Sequence, residues 1–448
     1  MYNQADPEDA TSPNSKLKGD AGVLKRFVFL PFIILLLASP IREASVFGNS
    51  DATPAPALAV EAPPLRSVED YKELLKSRGQ NLDDQGILVQ TLDTQATLAE
   101  HNSDVAFNPA SVMKLATTLT ALAKFGPDYR YRTNFLADGA IDAGARKLNG
   151  DLVVEGVADP MFSAQDAQEV AAQLSKLGVG HVAGALRIAG PFYYFATGYH
   201  SNLSRETSAA KLRTALQAAG IRIEGATVFG EKAGTILVSH YSEPLLHILF
   251  YQNAHSSNAI AEVVGESVGG PQAVQSFLTK QVGLRDSDIY VGRTSGLEFN
   301  RITPRAALQV LRRLIGLLSN YSLKPEDVMA VGGVDSGTLR ARFVTDAARG
   351  AVVAKTGTLV SLDNGVSTLV GIAYTKSGGP LLFAVLNSDG GVHSYRRLQD
   401  EFIERLIAEK GGPAPVARNE DALADTTRHT IVQVLYNPRT QPTETAAD

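Results

Sequence analysis

The feature that most narrows the fold is the presence of β-favouring apolar runs at both ends of one folded stretch. Residues 86–92, Gly-Ile-Leu-Val-Gln-Thr-Leu, open it, with a hairpin return over 97–100. Residues 351–354, 367–374 and 381–386 close it as three successive strands separated by turns containing Gly or Asn. Helical spacing is expected just before the first run, near 68–77, and just after the last, over 394–410. One sheet assembled from both ends makes the middle of the chain an insertion, and the middle itself divides. From about 148 to 230 short strands (151–155, 185–188) alternate with helices (164–177, 209–219), the pattern of a small α/β lobe, and from 244 to 318 helical patterns dominate. The expectation is a mixed α/β (α+β) chain. Its pieces are a divided main domain over 67–137 and 236–410, a lobe over 138–235, and a polar, flexible tail over 411–448 with a short strand near 430–436.

The other end of the chain carries no fold signal but a clear address. Lys16, Lys18, Lys25 and Arg26 precede an uncharged apolar run over 27–38. That run is shorter than the roughly 20 residues that span a bilayer, and its basic leader is that of an export signal. Residues 1–47 are therefore read as an export signal or membrane anchor. Residues 48–66, rich in Ala and Pro, are read as an extended linker. A late small-x-small sequence, Ala57-Leu-Ala59, is the one cleavage candidate, so a soluble periplasmic form and an inner-membrane anchored form both stand as expectations.

Composition then removes whole classes of chemistry. The net charge of −5 provides no positive field for nucleic acid, and no basic stripe supplies one locally. The chain has no cysteine, which excludes thiol nucleophiles and cysteine metal sites, and its eight histidines form no His-Glu-x-x-His pair. The expectation is a mechanism with no metal and no cofactor.

Three short motifs recur in a fixed order: Ser111-Val-Met-Lys114, Ser256-Ser-Asn258 and Lys355-Thr-Gly357. Singly they are weak, because Ser-x-x-Lys also occurs at Ser15/Lys18 and Ser208/Lys211. Serine at a helix start is ordinarily a cap, and a lysine one turn on is ordinarily a snorkelling surface residue. Context selects Ser111, which opens an apolar helix through Leu115, Leu119 and Leu122. Positions i and i+3 share a helix face, so the Lys114 amine comes beside the Ser111 hydroxyl. Burial favours the neutral amine, which can accept the serine proton, and Lys355 nearby presses in the same direction. Lys355-Thr-Gly-Thr358 continues an apolar run and so lies along a strand, where a peptide can dock and where Gly357 is expected to admit a substrate backbone. The N–H groups of Ser111 and Thr358 form a candidate oxyanion hole. Ser256 and Asn258 would form the third wall, with Tyr251-Gln-Asn253 as a competing choice for that motif.

The ordered trio is the signature of penicillin-binding proteins and class A β-lactamases, and the likeness is wider than the trio. Asn108 to Thr118, Gly126-Pro-Asp-Tyr-Arg-Tyr-Arg-Thr133, Ser256-Ser-Asn-Ala-Ile-Ala-Glu262, Thr294-Ser-Gly-Leu297 with Asn300 to Pro304, Gly337-Thr-Leu-Arg-Ala-Arg342 and Ala354 to Thr358 resemble blocks of the D-alanyl-D-alanine carboxypeptidase/endopeptidase family of low-molecular-mass class C penicillin-binding proteins, peptidase family S13. The resemblance spans about 68–410. It implies a β-lactamase/transpeptidase-like fold, with an antiparallel sheet flanked by helices and a helical subdomain. It also implies serine-type D-Ala-D-Ala carboxypeptidase action on peptidoglycan stem peptides through an acyl-enzyme, DD-endopeptidase action on cross-links, and β-lactams as covalent inhibitors. Carried over by motif, Ser111 is the nucleophile and Lys114 its base, with Ser256 and Asn258 as further catalytic residues. Lys355, Thr356, Gly357 and Thr358 are the substrate-binding edge.

Two departures accompany the resemblance. The stretch between Lys114 and Ser256 is shorter than is usual for the family, and the chain contains no tryptophan, whereas the family normally has a tryptophan-containing segment there. That leaves the choice between cross-linked and uncross-linked substrate open. Arg293-Thr-Ser-Gly stands where Asp-Gly-Ser-Gly is common. A β-lactamase-like hydrolase would share the trio, but no convincing Glu-x-x-x-Asn element accompanies it; a wall-binding scaffold that has lost turnover is the non-enzymatic alternative.

Overall fold

The computed structural model describes residues 65–195, 204–417 and 429–436. Residues 1–47, and most of the linker expected over 48–66, lie outside them. Along the chain, α1 (Arg66–Ser77) leads into the hairpin β1 (Gln85–Thr91) and β2 (Thr97–His101), then a 3-10 turn (Ala110–Met113) and α2 (Lys114–Phe125). The lobe follows as β3 (Arg132–Asp142), β4 (Lys147–Glu155), α3 (Ala164–Lys176), β5 (His181–Val182), β6 (Leu186–Ala189), α4 (Arg205–Ala218), β7 (Arg222–Ile223), β8 (Thr227–Phe229) and β9 (Thr235–Tyr241). The chain then makes α5 (Leu245–Ala254), α6 (Asn258–Val268), α7 (Gly270–Phe277), β10 (Ile289–Tyr290), β11 (Arg301–Ile302) and α8 (Pro304–Asn320). It ends in β12 (Ala330–Val331), β13 (Val352–Leu359), β14 (Val366–Thr375), β15 (Gly379–Asn387), α9 (Val392–Glu409) and β16 (Ile431–Val434).

The two ends do share one antiparallel sheet, ordered β12-β13-β14-β15-β1-β2, with β1 and β15 in register from Gln85↔Asn387 to Thr91↔Leu381. Alternate residues face opposite sides, so the sheet feeds two cores. Ile87, Val89, Leu369, Phe383 and Val385 pack with Tyr71, Phe402 and Leu406 of α1 and α9. Leu88, Val370, Ile372, Leu382 and Leu386 face α2, α5, α6 and α8. Burial on both faces is why these strands read as nearly continuous apolar runs rather than alternating ones.

The lobe has its own mixed sheet and its own core, in which Leu152, Val170, Leu186 and Leu212 are fully buried. It is wider than the expected span of 138–235: β3 begins at Arg132, and β9, ending at Tyr241, is a full member of its sheet. The short strand expected near 430–436 is present as β16, which pairs antiparallel with β9, but the flexibility expected of the tail needs correction, because Ala414 and Val416 also donate backbone hydrogen bonds to Tyr374 and Gly350. A flexible tail does not describe 411–417 or 429–436. Among the described residues no helix is long and apolar enough to cross a membrane.

Candidate active site

Ser111 lies in the 3-10 turn that precedes α2, and Lys114 is the first residue of α2 itself, so the expected i, i+3 adjacency arises at a turn-helix junction rather than inside a regular helix. Ala110, just before the serine, holds a left-handed backbone with φ 47°. Such a conformation costs on the order of 1–2 kcal/mol in a non-glycine residue and persists only where its surroundings enforce it. Here they do: the Asn108 side chain accepts the Ala110 N–H at 3.0 Å, and Thr368 Oγ1 donates to the Pro109 carbonyl at 2.7 Å.

Lys114 is fully buried, and its Nζ has three oxygen neighbours: Ser111 Oγ at 2.9 Å, Asn258 Oδ1 at 2.7 Å and the Ser295 carbonyl at 2.6 Å. Burial holds this amine well below the usual lysine range, and the charge of Lys355 adds to that, while Glu262 opposes it. The two carbonyl-type oxygens can only accept. A neutral amine that donates its two hydrogens to them has its lone pair left for Ser111, which is the geometry a base needs.

Lys355, on β13, is equally buried, and its ammonium is pushed down to about 7 by loss of solvation. It donates to Ser256 Oγ at 3.0 Å and to the Thr356 carbonyl at 2.6 Å. Ser256, like Ala110, has a left-handed backbone, φ 55°, so strain sits within the second motif and just ahead of the first. The structure thus forms two hydrogen-bonded groups, Ser111 and Asn258 on Lys114 and Ser256 and the Thr356 carbonyl on Lys355, near enough that the charge of Lys355 acts on Lys114. The competing Tyr251-Gln-Asn253 choice is part of neither: Gln252 and Asn253 are buried and bond to Thr118 Oγ1, Asn253 also to the Val328 carbonyl. Ser208, a rival nucleophile in sequence, is buried on α4 within the lobe.

β12 pairs only with Val353 and Ala354 of β13. Among the described residues no strand covers that edge from Lys355 to Leu359, so Lys355-Thr-Gly-Thr358 offers an open strand edge to an extended peptide. The expected role of Gly357 is different in the structure. A Cβ there would lie 2.1 Å from Thr368 Oγ1, 2.5 Å from the Pro109 carbonyl and 3.0 Å from Ala110 Cβ. The missing side chain lets β13 approach the protein's own Ser111 turn, not a substrate backbone.

Motif spacing passed over several polar residues that hold the site. Thr356 Oγ1 donates to Thr338 Oγ1 at 2.9 Å, and Arg396 of α9 donates to Thr358 Oγ1 at 2.8 Å. Glu262 of α6 accepts from the Ser295 N–H at 3.2 Å and from the Ser295 hydroxyl, and lies 3.3 Å from Arg293 Nε. The available sequence signal for Glu262 was its position four residues after Asn258 on one helix face. Thr338 and Arg396 reach β13 from distant segments and left no local pattern.

Comparison with known proteins follows the same lines. The chain matches the D-Ala-D-Ala carboxypeptidase 3 (S13) family over residues 70–193 and 197–406. It is 33% identical over 192 residues to the carboxypeptidase DacB of Mycolicibacterium smegmatis, covering 39% of this chain and 40% of that one. The match thus spans about two fifths of that relative's length. Among solved structures, penicillin binding protein 4 of Haemophilus influenzae superposes with a TM-score of 0.63 at 20% identity, covering 76% of this chain and 99% of the other. The Bd0816 predatory endopeptidase of Bdellovibrio bacteriovorus gives 0.65 at 22% identity, covering 78% and 99%. These two likenesses establish the β-lactamase/transpeptidase-like fold.

Proposed function

This chain belongs to the D-Ala-D-Ala carboxypeptidase 3 (S13) family, and we propose that it is a serine-type D-Ala-D-Ala carboxypeptidase that trims peptidoglycan stem peptides, with the D-Ala-linked cross-link amide as its second substrate. The observation that carries this reading is the buried Lys114 Nζ lying 2.9 Å from Ser111 Oγ, with its two other oxygen neighbours able only to accept.

In the reaction, Ser111 Oγ attacks the carbonyl carbon of the penultimate D-Ala while its proton passes to Lys114 Nζ. The oxyanion falls to the N–H groups of Ser111 and Thr358, donors each typically worth about 10²–10³ in rate. As the C–N bond breaks, the proton on Lys114 travels through Ser256 Oγ to the departing D-Ala amine. Lys355, Thr356 and Thr358 receive the terminal carboxylate, and Asn258 receives the stem-peptide amide. Water then attacks the Ser111 ester, with Lys114 again taking the proton, and frees the shortened peptide. A β-lactam enters by the same first step and stays as an ester on Ser111, which makes it the convenient probe. The basic leader and apolar run at 27–38 are taken as the signal that delivers the enzyme outside the cytoplasmic membrane, where this substrate lies.

The deciding experiment is labelling with a fluorescent penicillin, followed by assay of D-alanine release from a pentapeptide and of cleavage of a cross-linked dimer. The intact protein is expected to label and to release D-alanine; Ser111→Ala is expected to do neither while keeping its melting temperature. Labelling that survives in Ser111→Ala would refute the nucleophile, and labelling without turnover on either peptide would leave a penicillin-binding scaffold.

A further inference from the structure

We propose that Glu262 is a positioning residue for the Lys114 base, acting through the Thr294–Ser295 segment, and that Arg293 sets the strength of its charge. The inference rests on the reading of Lys114 as base. A lysine amine has three staggered directions, and it can serve Ser111 only if the other two are claimed. Asn258 claims one from α6, the helix that also carries Glu262. The other is claimed by a main-chain carbonyl, that of Ser295, which belongs to a loop rather than to a regular element.

Loop carbonyls need external restraint, and Glu262 supplies it. One carboxylate oxygen takes the Ser295 N–H and hydroxyl, and the other takes Thr294 Oγ1 at 3.1 Å. The segment is also tied from the other side, where Thr117 of α2 donates to the Thr294 carbonyl at 2.7 Å. Gly296 completes the turn with φ 82°, and a Cβ on it would lie 1.9 Å from the Ala110 carbonyl. Glu262 on one side and Thr117 on the other therefore fix the peptide that orients the base, and the same loop is packed against the residue preceding the nucleophile.

Two charges act on Lys114, Lys355 from β13 and Glu262 from α6, and Arg293 from the loop lies 3.3 Å from Glu262 and 3.7 Å from Glu298. Glu262 is the one that favours the ammonium, so it works against the base, and Arg293 offsets it. Arginine at 293 thus gives Glu262 a counter-ion at 3.3 Å.

The test follows the second-order rate of penicillin acylation against pH in the full chain. Acylation needs the neutral amine and so rises with pH. In Glu262→Gln the acid limb is expected about half a pH unit or more lower, the scale of one partly screened charge, and the plateau about tenfold or more lower from the loosened carbonyl. In Arg293→Ala, a part-exposed residue whose loss leaves the fold intact, the limb is expected to move to higher pH. Glu262→Asp, which keeps the charge, should keep the limb while the plateau falls. Limbs unmoved in both Glu262→Gln and Arg293→Ala, with only the labelled fraction reduced, would make Glu262 a packing residue and overturn the proposal. Absence of labelling in the unmutated protein would instead overturn the reading of the site itself.

Discussion

Lys114 and Lys355 are buried without a carboxylate bonded to either among the described residues, so the site is built on two amines that the fold keeps from being fully charged. That arrangement serves chemistry at the expense of stability, because an ammonium taken from water without a counter-ion is strongly disfavoured. For Lys355 the sign can be worked out. Its folded value is lowered to about 7, against about 10.4 in an unfolded chain. Between those values the unfolded chain holds a proton that the folded protein does not, so stability rises with pH across that window; below about pH 7 the penalty is at full size. Lys355→Met removes the titrating group. It also strands Ser256 Oγ and the Thr356 carbonyl, at about 1–3 kcal/mol that does not depend on pH. The expected result is a variant whose stability relative to the unmutated protein is most favourable below pH 7 and declines steadily toward pH 10, read by urea unfolding at several pH values. A difference that stays flat with pH would show that Lys355 is not desolvated as described.

At the level of elements, the site depends on how closely β13 approaches the 3-10 turn carrying Ser111, and Gly357 is the contact point. Gly357→Ala would place a methyl 2.1 Å from Thr368 Oγ1 and 2.5 Å from the Pro109 carbonyl, both held by their own hydrogen bond. Neither can yield without moving the strand or the turn. The expected cost is about 1–3 kcal/mol of stability, with a fall in acylation of about 10² or more from the displaced oxyanion edge; a thermal melt and a labelling rate measure the two. Labelling at the unmutated rate would show that β13 has room to spare. The sequence made much of this element structure legible, since strands buried on both faces announce themselves as apolar runs and α1, α2 and α9 by their spacing. It did not reveal why Gly357 is needed, because the reason lies in a crossing with Pro109, 248 residues away (357 − 109). Glu262 was passed over for the same cause: its partners Thr294 and Ser295 come from a loop more than 30 residues on, and no local periodicity encodes that meeting. The ordered motifs could be found because each is short and self-contained, whereas the bonds that orient them are not.

At the scale of the whole molecule, the chain stays on the main domain past α9, through Val416, and at β16 closes the edge of the inserted lobe. β16 pairs residue for residue with β9, from Ile431↔Tyr241 to Val434↔Val238, and Leu435 N–H bonds to the Leu237 carbonyl at 2.9 Å. Two side chains fasten its entry: Glu243 accepts the His429 N–H at 2.8 Å, and Arg130 donates to the His429 carbonyl. Val432 and Tyr436 pack onto the lobe core, while Ile431, Gln433 and Val434 are exposed, which is why so lightly buried a four-residue strand reads faintly in a polar tail. Without β16, the backbone of β9 would present an unpaired edge in the lobe sheet. A chain ending at Val416 is therefore expected to melt a few degrees lower and to aggregate more readily on warming, whereas one ending at Tyr436 should behave as the full chain. Penicillin labelling of both at low temperature should match the full chain, because every residue bonded to Lys114 or Lys355 lies on other elements. Equal melting of the two truncations would show that β16 adds nothing to the lobe. Loss of labelling in the shorter one alone would mean that the lobe edge communicates with the site, through β3 toward α2 or through β9 toward α5 and Asn258.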